Sequence, residues 1–260
     1  VRLRRELLQP LGIHHTPTYY MSNTDPYIVD HITKRKNYVV KPTHLTESEY
    51  VFVVQDGSYK YDIKLDLRWV NCSGEAVDHH LIQKRVDDAW NTSVCSSGWD
   101  CEYASINGAN PGVVVEKLVL STIEDSNEVE EVRIHVVWGH ALAIEWKIHY
   151  EGIFVLQAAR NEHTTGRTFS FAGVVVDDEV SNPRWKCAAK IRRVAERFAN
   201  GARADHLRID FLVEGDCDNF YVSEVSLSPG TIFTPEVMQL IETCWLYGYG
   251  LETDANYFHC

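Results

Sequence analysis

Two runs of alternating residues near the C-terminal end carry the clearest chemical pattern in the chain, and a turn rich in Gly and Asp separates them. Side chains alternate between the two faces of a strand, so Arg208 and Asp210 share one face in the first run. Glu224 and Ser226 share a face in the second run. The runs therefore predict a hairpin, in which one register pairs Asp210 with Glu224 and Arg208 with Ser226.

This register, which also sets Leu212 opposite Val222, brings two carboxylates face to face. Like charges directly across a sheet destabilise it by up to about 1 kcal/mol, so such a pair needs compensation. A divalent cation would supply it, and oxygen ligands of this kind suit Mg²⁺, which takes one or two carboxylates together with phosphate oxygens. The alternative is that Asp210 and Glu224 are solvent-facing charges, unpaired or paired with Arg208.

The composition is that of a globular protein with room for one large or two small domains. The chain has 260 residues, of which 45% are hydrophobic and 24% are charged. No run approaches the roughly 18 apolar residues of a membrane-spanning helix. Asp and Glu outnumber Lys and Arg by 37 to 25, and the resulting net charge of −12 argues against nucleic acid or an anionic membrane as the main partner.

Seven cysteines are scattered along the chain without a CxxC pair. An odd, dispersed set indicates neither a disulfide framework nor a zinc site, so we expect a reducing compartment and a cytoplasmic protein. N-glycosylation sequons begin at Asn71 and Asn91, but about one or two are expected by chance in a chain of this length. The 12 histidines include two adjacent pairs, which lack the spacing of a metal site.

The periodicity of the hydrophobic residues predicts an α+β fold with mixed or antiparallel sheets. A buried strand is predicted at 112–120, and a hairpin at 132–148 around a Gly-His turn. One helix is expected to begin after Pro183 and to end at Gly201, and another to begin at Thr234-Pro235. Further strands are predicted at 37–42, 51–54, 207–213 and 220–227, and a further helix at 79–90.

The C-terminal hairpin, in the frame Arg-Ile-Asp-Phe … Ser-Glu-Val-Ser-Leu-Ser-Pro-Gly, resembles the metal-binding hairpin of ATP-grasp enzymes, whose pattern is R-x-D … E-x-N-x-x-P-G. D-alanine ligases carry a similar version. The overall similarity is greatest to the TupA-like branch, which is associated with amide formation in polysaccharide and teichuronopeptide assembly. The resemblance implies that Asp210, Glu224 and Ser226 bind Mg²⁺.

The same resemblance implies an ATP-grasp fold, in which two mixed or antiparallel α+β subdomains clasp a nucleotide. The N-terminal substrate-side domain of the family is expected to be truncated or absent. The expected divisions are an N-terminal remnant or linker at 1–36, an N-terminal subdomain at 37–118 with an irregular insertion at about 58–110, a C-terminal catalytic and metal-binding subdomain at 119–250, and a tail at 251–260.

Further site residues follow from the resemblance. Lys41 resembles the strand lysine that binds the α and β phosphates, and Arg133 resembles the basic residue at the terminal phosphates. Arg208 is implied to face the acyl phosphate, where its guanidinium stabilises developing charge. The implied adenine-binding hinge strand is Val115, Glu116, Lys117 and Leu118, and the ribose is assigned to Glu124, with Asp125 as the alternative.

Two features depart from the family pattern. Family members usually follow the strand lysine with a glycine-rich loop that closes over the phosphates, whereas residues 43–50 contain no glycine. Glu47 and Glu49 in this loop would repel a triphosphate unless they turn away. Ser226 stands where the family has Asn, and a hydroxyl is a weaker metal ligand than an amide oxygen.

The implied activity is that of a carboxylate–amine ligase that uses ATP and Mg²⁺. In that reaction a small-molecule carboxylate is phosphorylated to an acyl phosphate, which an amine then attacks to form an amide. Two alternatives stay open. The glycine-free loop suits a pseudoenzyme that binds nucleotide and serves as a partner-binding module, and the tryptophans with the acidic hairpin would suit a Ca²⁺-dependent carbohydrate-binding protein.

Overall fold

The structure is a computed structural model that describes residues 13–43, 45, 49–65, 68–92, 110–125, 128–148, 151–157, 168–170, 183–227 and 235–249. The chain divides into two compact units. We call Pro17–Leu118 the N-terminal unit, and Val119–Cys260 together with Val1–Thr16 the C-terminal unit.

The described residues of the N-terminal unit form a five-stranded antiparallel sheet, a separate two-stranded hairpin and two helices. Its elements are β1 (Thr18–Ser22), α1 (Val29–Ile32), β2 (Tyr38–Pro42), β3 (Phe52–Gln55), β4 (Ser58–Tyr59), β5 (Ile63–Leu65), β6 (Arg68–Val70), α2 (His79–Trp90) and β7 (Val113–Lys117). The strand order in the larger sheet is β1-β7-β2-β3-β4, and β5 pairs with β6.

The helix predicted at 79–90 is confirmed as α2. Asp78 caps its N-terminus, because the carboxylate accepts hydrogen bonds from the backbone amides two and three residues further on. The residues Ile82, Val86 and Ala89 recur at helical spacing and are buried. Their burial against apolar strand residues such as Phe52 closes the core of this unit.

Two parts of this unit differ from the sequence-based expectation. Residues 18–22 belong to the sheet rather than to a linker, since β1 pairs with β7 along its length. Within the region expected to be an irregular insertion, β4, β5 and β6 are regular strands in addition to the predicted helix α2. Strands of two or three residues are too short for an alternating pattern to reveal them. Residues 93–109 lie outside the described part.

The C-terminal unit is built on a six-stranded antiparallel sheet. Its elements are β8 (Glu130–Val137), β9 (His140–Ile148), β10 (Glu151–Gln157), β11 (Thr168–Ser170), α3 (Pro183–Ala202), β12 (His206–Glu214), β13 (Asn219–Ser226) and α4 (Pro235–Gly248). The strand order is β11-β10-β9-β8-β12-β13. The expected α+β class with antiparallel sheets is therefore confirmed.

Helix α3 covers one face of this sheet and forms the core with it. Ile191, Ala195 and Phe198 lie on one side of the helix and are buried against strand residues such as Ile134 and Ile209. Because successive strand residues point to opposite faces, the neighbours of these core residues in the sequence lie on the other face of the sheet. That other face carries the candidate site.

The predicted hairpin at 132–148 and the two C-terminal helices are confirmed, with one shifted boundary. Helix α3 continues to Ala202 instead of stopping at Gly201. The left-handed position after it is occupied by Arg203, with φ 53°, so the glycine is not the residue that ends the helix. No helix in the described part is both long and apolar enough to cross a membrane.

A disulfide joins Cys187 in α3 to Cys217 in the turn between β12 and β13, with a Cα–Cα distance of 5.7 Å. The expectation that the cysteines form no disulfide framework is therefore wrong. The two residues are 30 positions apart in the sequence, and the packing of α3 on the sheet, which no local spacing reveals, brings them together.

We predict that Phe198→Ala lowers the free energy of unfolding by about 3–5 kcal/mol, because the ring is fully buried between α3 and the sheet. Urea unfolding followed by circular dichroism measures the change. The matched control is Arg197→Ala on the exposed side of the same turn, which should change the value by less than about 0.5 kcal/mol. Equal losses in both variants would contradict the placement of α3.

Candidate functional site

The face of the C-terminal sheet opposite α3 carries a dense set of charged side chains, contributed by four neighbouring strands. Strand alternation and the pairing of β9, β8, β12 and β13 bring them to one surface. We call this surface the charged face. Its residues are Glu131, Arg133, His135, Glu145, Lys147, Arg208, Asp210, Glu224 and Ser226.

A buried ion pair between Arg208 and Asp210 lies at the centre of the charged face. Both residues lie on β12, and the guanidinium binds the carboxylate in a bidentate fashion, with Nε donating to Oδ1 at 2.7 Å and Nη2 donating to Oδ2 at 2.8 Å. Asp210 is 0% exposed and Arg208 is 6% exposed. Burial and two charge-assisted hydrogen bonds fix both side chains.

The second carboxylate, Glu224, lies directly across from Asp210 on β13. Its side chain is 60% exposed, and its Oε1 lies 3.7 Å from Nη2 of Arg208. Ser226 donates a hydrogen bond to the same Oε1 at 2.9 Å. Arg208 therefore lies within reach of both carboxylates and reduces the repulsion that two facing acids would otherwise cause.

The pairing of β12 with β13 matches the predicted register at Arg208 and Asp210 and departs from it after Asp210. The pairs Asp210–Glu224 and Arg208–Ser226 are confirmed. Leu212 lies opposite Tyr221 rather than Val222, because a bulge follows Asp210. The extra residue in the bulged strand turns Val222 towards the core without moving the carboxylate pair.

Arg133 on β8 is surrounded by three carboxylates. Its Nε donates to Glu131 at 2.8 Å and lies 3.6 Å from Oδ2 of Asp210. Its Nη1 lies 3.9 Å from Oε2 of Glu145, a residue that the sequence analysis did not single out. Counting outward from the turn of the predicted hairpin would have placed Glu145 near Arg133, since they are partners across β8 and β9.

Burial and neighbouring charges shift the pKa values of both Asp210 and Arg133. Burial raises the pKa of Asp210 to about 7, against the hydrogen bonds from Arg208 and the charge of Arg133, both of which lower it. Burial also disfavours the charge on Arg133, but the carboxylates of Glu131, Asp210 and Glu145 outweigh it, so the pKa of Arg133 lies above its ordinary value. Arg133 therefore stays charged, and a further positive charge near Asp210 would favour the ionised form of this acid.

Among the described residues, no three His, Cys, Asp or Glu side chains are grouped so as to hold a metal ion. The implied set differs in kind, because it consists of the carboxylates of Asp210 and Glu224 and the hydroxyl of Ser226. All three are hard oxygen donors on one hairpin, and burial favours neutralisation of Asp210, so the donor chemistry fits Mg²⁺. Both oxygens of Asp210 accept hydrogen bonds from Arg208, which occupies the position of a counter-ion.

A second buried ion pair holds the opposite, apolar face in place. Glu130 on β8 is 0% exposed and accepts hydrogen bonds from Nε1 of Trp146 at 2.7 Å and from Nη2 of Arg184 at 3.2 Å. Arg184 lies in the first turn of α3, so this pair joins the helix to β8 and β9. It fixes the strands that carry Arg133 and Glu145.

In the N-terminal unit, Lys41 and Glu116 form an ion pair, with Nζ 3.0 Å from Oε2. Lys41 lies on β2 and Glu116 on the neighbouring β7. Val39 and Val114 lie on the same face of the sheet and are buried beside them. This face therefore combines a partly exposed ammonium, a carboxylate and aliphatic side chains, which is the chemistry that a phosphate and a flat base require.

The other residues that the resemblance assigns to the nucleotide lie in β7, directly after it and in a short turn. Val115 is fully buried in the core, and its strand is paired on both sides, with β1 and β2. The amide of Lys117 donates to the Pro17 carbonyl at 2.9 Å, and Leu118 is buried. Glu124 lies in a short 3₁₀ turn, where the neighbouring Asp125 is exposed.

His135 lies beside Arg208 on the charged face, and its titration generates a prediction for stability. Burial above all, together with the charges of His206, Arg208 and Arg133, lowers the pKa of His135 to about 3. Below pH 6.5 the unfolded chain binds a proton at this position that the folded chain excludes. The contribution of His135 to the free energy of unfolding should therefore fall as the pH decreases from 6.5 towards 4, whereas the raised pKa of Asp210 contributes in the opposite direction.

Replacing this ring with an amide, His135→Asn, should reduce that slope by up to about 1.4 kcal/mol per pH unit. Urea unfolding at a series of pH values measures the slope. The control Ile134→Val changes a neighbouring buried residue that does not titrate, and it should keep the parent slope. An unchanged slope in His135→Asn would show that the imidazole is protonated in the folded state.

Comparison with known proteins gives the fold a name. No protein-family model matches the chain, and no curated protein matches it. Among solved structures, the biotin carboxylase–β,γ-ATP complex from Campylobacter jejuni aligns with a TM-score of 0.50 at 11% identity and covers 95% of this chain and 45% of that one.

Two ligases align at lower TM-scores. D-alanine–D-alanine ligase from Bacillus anthracis, complexed with ATP, gives 0.46 at 15% identity over 97% of this chain and 66% of that one. L-amino acid ligase from Bacillus licheniformis gives 0.42 at 15% identity over 86% of this chain and 41% of that one. The chain thus spans between 41% and 66% of the lengths of these three proteins. The alignment with the biotin carboxylase shows that this chain has the ATP-grasp fold.

Proposed function

We propose that the protein is an ATP- and Mg²⁺-dependent carboxylate–amine ligase, which forms an amide through an acyl phosphate. The observation that carries the proposal is the charged face, where Asp210 and Glu224 lie directly across from each other with Arg208 and Arg133 beside them. Transfer of a phosphoryl group depends mainly on positioning and on fixed charge, so a rigid cluster of this kind supplies what the reaction needs.

Asp210, Glu224 and Ser226 would hold the magnesium ion. When bound, Mg²⁺ neutralises charge on the phosphates of ATP and on the transferred phosphoryl group. The Arg208–Asp210 pair supports this assignment, because the Asp210 carboxylate already binds a positive group, the Arg208 guanidinium. A divalent cation at Asp210 would release Arg208 from its bidentate contact and leave its donors available to an anionic oxygen of the substrate.

The two arginines have separate roles in this scheme. Arg133 binds the terminal phosphates of ATP, and its ion pairs with Glu131 and Asp210 fix the direction of its guanidinium. Arg208 binds the acyl phosphate and stabilises the charge that develops as the amine attacks. Neither forms a covalent bond with the substrate, so both act as electrostatic catalysts.

In the N-terminal unit, Lys41 binds the α and β phosphates as a point charge. Its ion pair with Glu116 supports this role, because it holds the ammonium at the strand with part of its surface exposed. The adenine is assigned to the hinge strand and the ribose hydroxyls to an acidic turn. The assigned residues are Val115, Glu116, Lys117 and Leu118 for the base, and Glu124 for the ribose.

The substrates we propose are a small-molecule carboxylate and an amine, in the modification of a polysaccharide or another cell-surface polymer. This assignment rests on the resemblance of the C-terminal hairpin to the TupA-like branch. The acidic overall charge is compatible with it, since the cations that bind anionic substrate groups are concentrated at Arg133 and Arg208.

A pseudoenzyme that binds nucleotide without turnover is the second candidate. Two observations favour it: residues 43–50 contain no glycine, and both oxygens of Asp210 already accept a hydrogen bond from Arg208. The Ca²⁺-dependent carbohydrate-binding alternative gains no comparable support from the described residues. Release of ADP in the presence of paired carboxylates and amines separates the ligase from the pseudoenzyme, which would bind ADP but release none from ATP.

Removal of one metal-binding charge should uncouple nucleotide binding from magnesium. We expect Asp210→Asn to weaken the binding of ADP in the presence of Mg²⁺ by about 10–100-fold, with little change in its absence. Isothermal titration calorimetry with and without Mg²⁺ measures both affinities. The control is Asp218→Asn, an exposed acid in the turn of the same hairpin, which should behave like the parent. Equal Mg²⁺ dependence in Asp210→Asn and the parent would refute the metal assignment.

Loss of the Lys41 ammonium should weaken ADP binding whether or not Mg²⁺ is present. Lys41→Met removes a charge-assisted contact worth about 1.5–3 kcal/mol, so ADP affinity should fall by at least about tenfold both with and without Mg²⁺. Lys34→Met, which changes an exposed lysine of the same unit, serves as the control. If adenosine binding falls as much as ADP binding, Lys41 contacts the base or ribose rather than the phosphates.

A further inference from the structure

The cysteines of the described part are mostly oxidised. Cys187 and Cys217 form a disulfide between α3 and the β12–β13 turn, and Cys244 in α4 is also disulfide-bonded. Cys72 is the one free cysteine among the described residues, and it is buried. Disulfides of this kind form and persist in oxidising compartments and are rare where thiol reductants prevail. The expectation of a reducing, cytoplasmic environment does not account for them.

The two N-glycosylation sequons have a different meaning in an oxidising compartment, because asparagine-linked glycosylation takes place there. The first is Asn71-Cys-Ser and the second is Asn91-Thr-Ser. Such triplets arise by chance in buried as well as exposed positions, so their location in the fold is informative. Both acceptor asparagines are exposed.

The surroundings of Asn91 allow an attached glycan. It follows the last residue of α2, and its side-chain nitrogen donates a hydrogen bond to the Asp87 carbonyl at 2.8 Å. A glycosylated asparagine keeps one of its two amide hydrogens, so this hydrogen bond can persist while the sugar extends into solvent.

Asn71 lies at the end of β6, a strand in which all three residues are exposed. Two of them are large apolar side chains, Trp69 at 55% exposure and Val70 at 39%. A sugar linked to the adjacent asparagine would cover this exposed apolar surface, since the ring faces of sugars and aromatic side chains pack together. The hydroxyl of Ser73, which completes the sequon, is likewise on the exposed surface, where it donates to the Lys60 carbonyl.

We propose that the protein matures in an oxidising compartment and carries asparagine-linked oligosaccharides on Asn71 and Asn91. The donor is a polyprenyl-diphosphate-linked oligosaccharide. The side-chain nitrogen forms a bond to the anomeric carbon of the first sugar, the bond from that carbon to the diphosphate breaks, and the polyprenyl diphosphate leaves. The amide proton passes to a base of the transferase. The proposal stands on the disulfides and the two exposed acceptors and is independent of the ligase activity.

The test uses the full-length protein isolated from the cells that make it naturally. Treatment with peptide-N-glycosidase in heavy-oxygen water converts each glycosylated asparagine to labelled aspartate, which peptide mass spectrometry locates. We expect labelled aspartate at positions 71 and 91 and a faster electrophoretic mobility after treatment. A non-reducing digest of the same protein should contain the linked Cys187 and Cys217 peptides.

Matched variants expressed in the same cells separate glycosylation from changes in folding. Ser73→Ala should abolish the label at Asn71, whereas Ser73→Thr retains the acceptor hydroxyl and should keep it. Ser93→Ala should abolish the label at Asn91, whereas Thr92→Ala leaves that sequon intact. Unlabelled asparagine at either position in the natural protein overturns the assignment of that site. Absence of both labels, together with alkylation of Cys187 and Cys217 as thiols, overturns the whole proposal.

Discussion

The buried contact between Arg208 and Asp210 is the interaction on which the candidate site depends. A carboxylate with no exposed surface is costly unless it is paired, and here a bidentate guanidinium supplies the pair while a second arginine lies 3.6 Å away. The same guanidinium approaches Glu224 across the hairpin. The two acids can therefore lie opposite each other without separating the strands, and a divalent cation could later take over the role of the arginine.

The remainder of the C-terminal unit holds this cluster in position. Helix α3 and the apolar faces of β8, β9 and β12 form the core, and the Glu130–Arg184 pair joins the helix to the sheet. The strands cannot shift by one residue without exchanging the charged face for the apolar face, so the packing of the core fixes the register of the site. Stability and the geometry of the charged residues are thus two consequences of one alternating pattern.

Much of this arrangement follows from local sequence rules, and the exceptions have clear physical causes. Alternation fixes the faces on which Asp210 and Glu224 lie, and one register that it allows pairs them. The spacing of apolar residues predicts α2 and α3. The bulge after Asp210 was not predictable, because the pattern does not show where one strand contains an extra residue. The disulfide and the contact of Arg133 with Glu145 depend on tertiary packing and on cross-strand register. Whether Arg208 binds an acid of its own strand or a substrate depends on its rotamer and on what occupies the site.

The central claim is that Asp210 and Glu224 bind the metal ion that accompanies the nucleotide, and that Arg208 gives up its contact with Asp210 when they do. A crystal structure of the protein with ADP and Mn²⁺, with the ion located by its anomalous scattering, tests it most directly. The account predicts a manganese ion about 2.1 Å from oxygens of both carboxylates, with the guanidinium of Arg208 directed away from Asp210. A manganese ion bound to the phosphates alone, with the bidentate Arg208–Asp210 contact intact, would contradict the account.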